Sequence, residues 1–506
     1  MSGNFAADLQ AVFATHGSRP ALRMADGGLW TYSDLAERTA RLATVLVEAG
    51  VGPGERVLAQ VGKTPEAVAL YLATLQVGGV YVPLNSAYTT AEVAYFLADA
   101  QPRVFVRDSA SPVLNGEGAG LAELTLGEGD GSLVQAMDAA EPRFEVAERK
   151  GDDLAALVYT SGTTGRSKGA MLTHHNVRSN AEALRQCWGW RDDDVLLHAL
   201  PLFHVHGLFI ALHCALLGGT PTIFLPRFDV RTVKQYLPES TVMMGVPTFY
   251  TRLLQDADFN RSHCRGVRVF ISGSAPLTEA TFDAWQARTG HCILERYGMS
   301  ETIINTSNPL HGERVAGTVG FALPGVEVRV TGEGGEPLPP GEVGGIEVRG
   351  ENVFKGYWRQ PDKTAEEFRP DGYFITGDLG VMDAEGRLSI VGRARDLVIS
   401  GGYNVYPKEV EALIDELDAV AESAVIGVPH PDFGEGVVAV VVPSGDAVST
   451  DQVTAFLKGR LARFKQPKQV VNVEALPRNS MGKVQKNRLR EEYEGLFEGQ
   501  RERVLQ

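Results

Sequence analysis

Directly after the apolar run Leu154 to Val158, the chain reads Tyr-Thr-Ser-Gly-Thr-Thr-Gly-Arg-Ser-Lys-Gly from Tyr159 to Gly169. Gly162, Gly165 and Gly169 allow the backbone to approach a ligand with no Cβ in the way. Ser161, Thr163, Thr164 and Ser167 add hydroxyl donors, and Lys168 adds positive charge. A loop of this kind leaving a buried strand suits a nucleotide polyphosphate; a polar surface loop is the plainer alternative. It is not a Walker loop, because Arg166 stands four residues after Gly162 and Lys168 is followed by Gly169.

Three further clusters carry groups of the kind that handle a nucleotide. Tyr297, Gly298, Glu301 and Thr302 place a ring, a carboxylate and a hydroxyl within six residues. One such carboxylate suffices for Mg²⁺, which completes its shell with phosphate oxygens and water. Asp378 follows a Thr-Gly bend and can accept from both hydroxyls of a ribose, or form an ordinary Asx turn. Lys483 stands on a glycine-bearing loop, a mobile point charge for anionic oxygens or a plain surface lysine.

These groups must be carried by elements that bring them together. Pro65 to Gln76 reads as a helix, and Val195–Ala199, Thr222–Leu225, Val242–Val246 and Val267–Ile271 read as buried strands. Alternation of this kind predicts an α/β architecture. Asn115 to Gly131 reads as a surface excursion, and Gly332 to Gly345 as turns between short strands. After about residue 396 the character changes. A helix with Val410, Leu413, Ile414 and Leu417 on one face precedes the strands Ser423–Val428 and Val437–Val442, which predicts a small α+β domain. The expected organisation is therefore a large multi-sheet domain, residues 1–395, and a small mobile domain, residues 397–506. The last residues are charged and read as a solvated helix end or tail.

With 506 residues, 48 basic against 63 acidic, the net charge is −15 and no basic block is present, which argues against nucleic acid or an anionic membrane as partner. Cys187, Cys214, Cys264 and Cys292 form no C-x-x-C pair and are expected as buried free thiols. The N-terminus lacks a basic leader, and the longest apolar run, Gly207 to Leu217, is too short to span a bilayer. A cytoplasmic protein is the expectation.

In chain order, the segments at Tyr159–Gly169, Tyr297–Thr302, Thr376–Asp378, Gly392–Pro407 and Pro477–Lys483 resemble the signature motifs of the acyl-adenylate-forming superfamily of acyl-CoA synthetases, adenylation domains and luciferases. The resemblance covers nearly the whole chain. It implies ATP, Mg²⁺ and coenzyme A: a carboxylate attacks the α-phosphorus, pyrophosphate leaves, and the acyl group passes to a thiol. It also implies roles. Thr160, Ser161, Gly162, Thr163, Thr164, Gly165 and Lys168 would hold the β- and γ-phosphates, and Glu301 with Thr302 would hold the metal. Tyr297 and Gly298 would pack on adenine, Asp378 would hold the ribose, and Arg393 would reach ribose or phosphate. Lys483 would bridge the attacking carboxylate and the α-phosphate. Asp396 would be a hinge, and Gly401 and Gly402 would line a pantetheine tunnel.

Within the superfamily, Gly245–Arg252, Phe270–Pro276 and Arg296 with Asn305–Pro309 resemble malonyl-CoA synthetases. A dicarboxylic acid carries a second carboxylate that cannot be buried unpaired, so Arg252, Ser274 and Arg296 are the candidates to receive it. His204 would orient the reacting carboxylate; two histidines, His204 and His206, could instead suggest a metal, but no third ligand stands nearby. Where malonyl-CoA synthetases often carry Thr, this chain has Val205, and Ile304 is similarly aliphatic, which favours a C2-alkyl malonate. The rivals are a synthetase for a medium-chain or aryl monocarboxylic acid and a non-catalytic nucleotide-binding regulator.

Overall fold

The computed structural model describes residues 3–111, 121–160, 167–401, 403–431, 433–479 and 482–497. Two large sheets share one core. In the first, the parallel strands Leu196–His198, Val242–Gly245, Val269–Ser272 and Leu294–Tyr297 lie side by side within nine strands. In the second, Ala122–Leu126, Val104–Asp108, Arg56–Gln60, Val80–Pro83 and Leu154–Thr160 run parallel, closed by the antiparallel Lys168–Thr173. The helix Pro65–Gln76 starts where expected because Thr64 accepts from the Ala67 amide and Pro65 sits at its first turn; from Ala67 to Gln76 every residue is buried. A helix apolar all round belongs inside such a layered core.

A third sheet is antiparallel, from Val326–Thr331 through Val343–Gly350 and Phe374–Met382 to Leu388–Arg393. The chain then makes a short turn, Ala394–Asp396, and enters a separate domain. Its strands Val420–His430 and Gly434–Pro443 pair antiparallel over nearly their full lengths and are longer than their apolar cores alone suggested. The helix Pro407–Ile414 packs Val410 and Ile414 into a core with Val425, Val437 and Val453 that shares no residue with the core of the large domain.

Three expectations change. Residues 122–126 of the presumed excursion form a true edge strand paired with Val104–Asp108, the sheet supplying hydrogen bonds that the Gly- and Glu-rich flanks conceal. The helix of the small domain ends at Ile414, before Leu417. Of the four free cysteines, Cys214 and Cys264 are buried whereas Cys187 and Cys292 are only partly so. Among the described residues no helix is long and apolar enough to cross a membrane.

Candidate active site

Several candidate side chains gather at the carboxyl ends of the parallel strands, where an open α/β sheet leaves its crevice. Ser274 follows the strand ending at Ser272, Arg296 and Tyr297 close the strand Leu294–Tyr297, and His204 and His206 come after the strand ending at His198. His206 opens a π-helical segment, His206–Leu212, a geometry that often marks a functional position.

Arg296 is 4 % exposed, and its Nε and Nη2 have no hydrogen-bond partner among the described residues. Burial brings its pKa down to about 9. The guanidinium occupies room left by Gly273, where a Cβ would fall 2.4 Å from Arg296 Cζ. Beside it, the Ser274 hydroxyl lies 3.1 Å from His206 Nδ1, and Ser274 holds a left-handed φ of 72° that costs about 1–3 kcal/mol in a non-glycine residue. His206 Nε2 is also unpartnered. Burial, and then the Arg296 charge, hold His206 well below the usual histidine range and His204 at about 4, so both rings are neutral. The His206 amide donates to His204 Nδ1 at 3.2 Å, which leaves the His204 proton on Nε2. A buried cation, a hydroxyl and a neutral imidazole with an open valence are groups able to receive a carboxylate. Val205 and Ile304 are both buried.

The nucleotide-handling candidates converge as well. Tyr297 donates its hydroxyl to Asp378 Oδ2 at 2.5 Å, and Arg393 Nε reaches Asp378 Oδ1 at 2.7 Å. Asp378 lies within the strand Phe374–Met382, directly opposite Arg393, and the plain Asx turn is not formed. Gly298 is required: a Cβ there would meet the Ile303 carbonyl oxygen at 1.9 Å, because the chain folds back so that Asn305 N donates to Tyr297 O. That fold presents Glu301, whose Oε1 accepts from Thr160 at 3.4 Å and from the Tyr357 hydroxyl at 3.1 Å. Burial raises its pKa. Thr302 is fully buried, and its hydroxyl has no partner among the described residues.

Thr160 and Lys168 stand opposite each other across two antiparallel strands, so the phosphate-loop candidate links a hairpin and not a strand to a helix. Ser161, Gly162, Thr163, Thr164 and Gly165 lie outside the described residues, as does Gly402. Lys168 is buried, with Nζ 3.2 Å from Glu367 Oε1. Glu367 also accepts from Tyr357 at 2.7 Å, joining Lys168, Glu367, Tyr357, Glu301 and Thr160 in one chain of contacts. No role was foreseen for Tyr357, which lies in Val353–Trp358, a segment that also resembles malonyl-CoA synthetases, or for Glu367, which lies in no recognisable motif; both stand more than fifty residues beyond Glu301, and only the fold delivers them.

Lys483 comes from the small domain. Its loop docks where the helix Pro247–Gln255 begins, a Cβ on Gly482 falling 3.3 Å from Thr248. Burial, and then the Arg393 charge, lower the lysine to about 8. Asp396 ends the turn between the domains and pairs with Arg490 Nη2 at 2.7 Å. Two candidates sit elsewhere. Arg252 is exposed on the helix Pro247–Gln255, one turn beyond Thr248, and not buried beside Arg296. Gly401 occupies the left-handed turn, φ 60°, of the hairpin joining Val398–Ser400 to Tyr403–Val405, and this turn requires a glycine irrespective of any tunnel.

Residues 9–358 match the AMP-binding enzyme family, and residues 409–483 match the AMP-binding enzyme C-terminal domain. The chain belongs to the AMP-binding enzyme family. A malonate–CoA ligase of Arabidopsis thaliana is 34% identical, covering 93% of this chain and 86% of its own. A feruloyl-CoA synthase of Amycolatopsis is 36% identical over 92% of this chain and 94% of its own. Among solved structures, ATP-bound MatB of Rhodopseudomonas palustris is 52% identical with a TM-score of 0.95, covering 98% of this chain and 100% of that one. Apo MatB, at the same identity and coverage, gives 0.83.

Proposed function

We propose that this protein is a malonyl-CoA synthetase that also accepts C2-alkyl malonates. One carboxylate of the acid attacks the α-phosphorus of ATP and pyrophosphate leaves; the CoA thiol then attacks the acyl carbon and AMP leaves. The observation that carries the assignment is Arg296, a desolvated guanidinium with two unpaired nitrogens. A monocarboxylic acid would leave that cation stranded, whereas the distal carboxylate of malonate accepts from it, with Ser274 and His206 at hand. The malonate ligases among the relatives support this reading; the feruloyl-CoA synthase, equally similar in sequence, is the reason a monocarboxylic acid belongs in the test.

The remaining residues act on ATP. Asp378, held by Tyr297 and Arg393, is oriented to accept from the ribose hydroxyls, and Tyr297 packs beside the base. Thr160, the segment after it and Lys168 grip the leaving pyrophosphate. The donors around Glu301, one buried carboxylate with hydroxyls and a second carboxylate reached through Tyr357, fit Mg²⁺, which needs only one or two carboxylates. When bound there, the metal would neutralise charge on the leaving group. Lys483 lowers the repulsion between acid and α-phosphate. Rotation about Asp396 then withdraws Lys483, and Gly401 with Gly402 gives the thiol its path.

The test is an acid panel of malonate, methylmalonate, acetate, succinate and octanoate, each with ATP and CoA. AMP formation fastest with malonate or methylmalonate is expected. A best rate with octanoate overturns the dicarboxylate reading, and AMP formation with no acid overturns both synthetase readings.

A further inference from the structure

Along the strand Leu294–Tyr297, successive side chains point to opposite faces, so Arg296 and Glu295 serve different neighbours. Arg296 faces the acyl pocket. Glu295 is 7 % exposed and turns the other way, where its Oε1 accepts from the Leu277 amide at 3.1 Å, at the end of the segment that carries Ser274. The cation in its surroundings comes from the other domain. Lys408, in the first turn of the helix Pro407–Ile414, donates to the Ile390 carbonyl of the large domain at 2.8 Å. Three carboxylates act on its ammonium: Glu295 and Glu279 of the large domain, and Glu411 of its own helix. Glu411 is engaged elsewhere, by Lys486 and the Val425 amide. Lys408 is thus a small-domain cation held desolvated by a large-domain carbonyl and a large-domain acidic field.

We propose that Lys408 is a positioning residue that latches the small domain in the orientation that makes the adenylate. The Ile390 carbonyl holds its ammonium, and the Glu295 and Glu279 charges favour it there, only while that orientation lasts. The inference rests on the two-step reading above, and it goes beyond it in naming what restrains the rotation. The latch has to open before the thiol can enter, since withdrawing Lys483 carries Lys408 away from Ile390. Glu295 is a member of the same strand that presents Arg296, so docking of the small domain is sensed one residue from the acid's distal carboxylate. In the latched state burial raises Glu295 to about 7, opposed first by the hydrogen bond from the Leu277 amide and then by the Lys408 and Arg296 charges.

The two half-reactions are measured separately on the full-length protein: acid-dependent exchange of pyrophosphate into ATP, and thioester formation from supplied malonyl-adenylate and CoA. Lys408→Met is expected to slow the exchange about tenfold, the size of an ordinary coupling between sites, while thioester formation is unchanged or faster. Lys408→Arg, which keeps a donor and a charge, is expected to restore the exchange. A fluorophore pair with one label on each domain reads the same effect without any acid, the ATP-bound closed population falling in Lys408→Met. An equal loss of both half-reactions, as a merely structural role would produce, overturns the proposal; so does no change in either. If the unaltered enzyme fails to use malonate, the substrate assignment fails, and the label distances still decide the latch.

Discussion

Replacing Arg296 with Met should move activity and stability in opposite directions. Methionine follows the apolar stem of the arginine and ends short of its guanidinium, so the charge and both unpaired nitrogens disappear and some room is left where they stood. In the folded protein without substrate, an uncompensated buried donor costs about 1–3 kcal/mol, and more when charged, so the methionine should leave the protein as stable or more so. With malonate bound, the balance reverses. Losing one partner of a buried, hydrogen-bonded charge pair costs about 2–5 kcal/mol, which is roughly 30-fold to several thousand-fold in kcat/KM. Propionate, which is malonate with a methyl in place of one carboxylate, should be used better by Arg296→Met than by the parent enzyme. Steady-state pyrophosphate release with each acid, beside a thermal melt of each protein, reads all three effects. A malonate kcat/KM within about threefold of the parent, or a melt lowered by many degrees, would show that Arg296 is a structural cation and that the acid binds elsewhere.

Lys483 and Val205 give two further tests. Only a charged Lys483 can offset the anionic reactants, and burial with the Arg393 charge brings it to about 8, so kcat/KM for adenylation should fall as pH rises through that value. Docking itself should tighten as pH rises from about 8 toward the ordinary lysine range, where the undocked lysine still binds a proton that the docked one has released; an alkaline limb shared equally with thioester formation would refute the assignment. Val205→Thr should lower the methylmalonate-to-malonate ratio of kcat/KM by about tenfold, within the ~1–3 kcal/mol that one methylene commands in an apolar pocket; an unchanged ratio would remove Val205 from the wall that meets the C2 substituent.

Motif order was legible in the sequence because each motif is local: the Tyr159–Gly169 stretch, the Tyr297–Thr302 turn and the Lys483 loop announce themselves by glycine spacing and by the residue types they combine. The strand and helix at Val242–Gly245 and Pro65–Gln76 followed from apolar runs with clear boundaries. What escaped was whatever depends on distant segments meeting. Arg252 follows Thr251 and Arg296 follows Glu295, a polar neighbour in each case, yet one is exposed on a helix and the other is sealed at a strand end. Glu367 carries no motif and the segment around Tyr357 gives no sign of its partners; they reach Lys168 and Glu301 only through tertiary packing. The strand Leu294–Tyr297 is buried on both faces, so its period-two pattern was hidden and the divergence of Glu295 from Arg296 with it.

That divergence bears on any attempt to retarget the enzyme. Glu295 and Arg296 are joined by a single peptide bond, one looking toward the acid and the other toward the domain that swings. An engineer who transplants this strand to acquire a new acid preference also transplants a piece of the clock that sets when the adenylate is handed on. Chimeras built across it should show selectivity and turnover changing together, and restoring one will require attention to the residue next door.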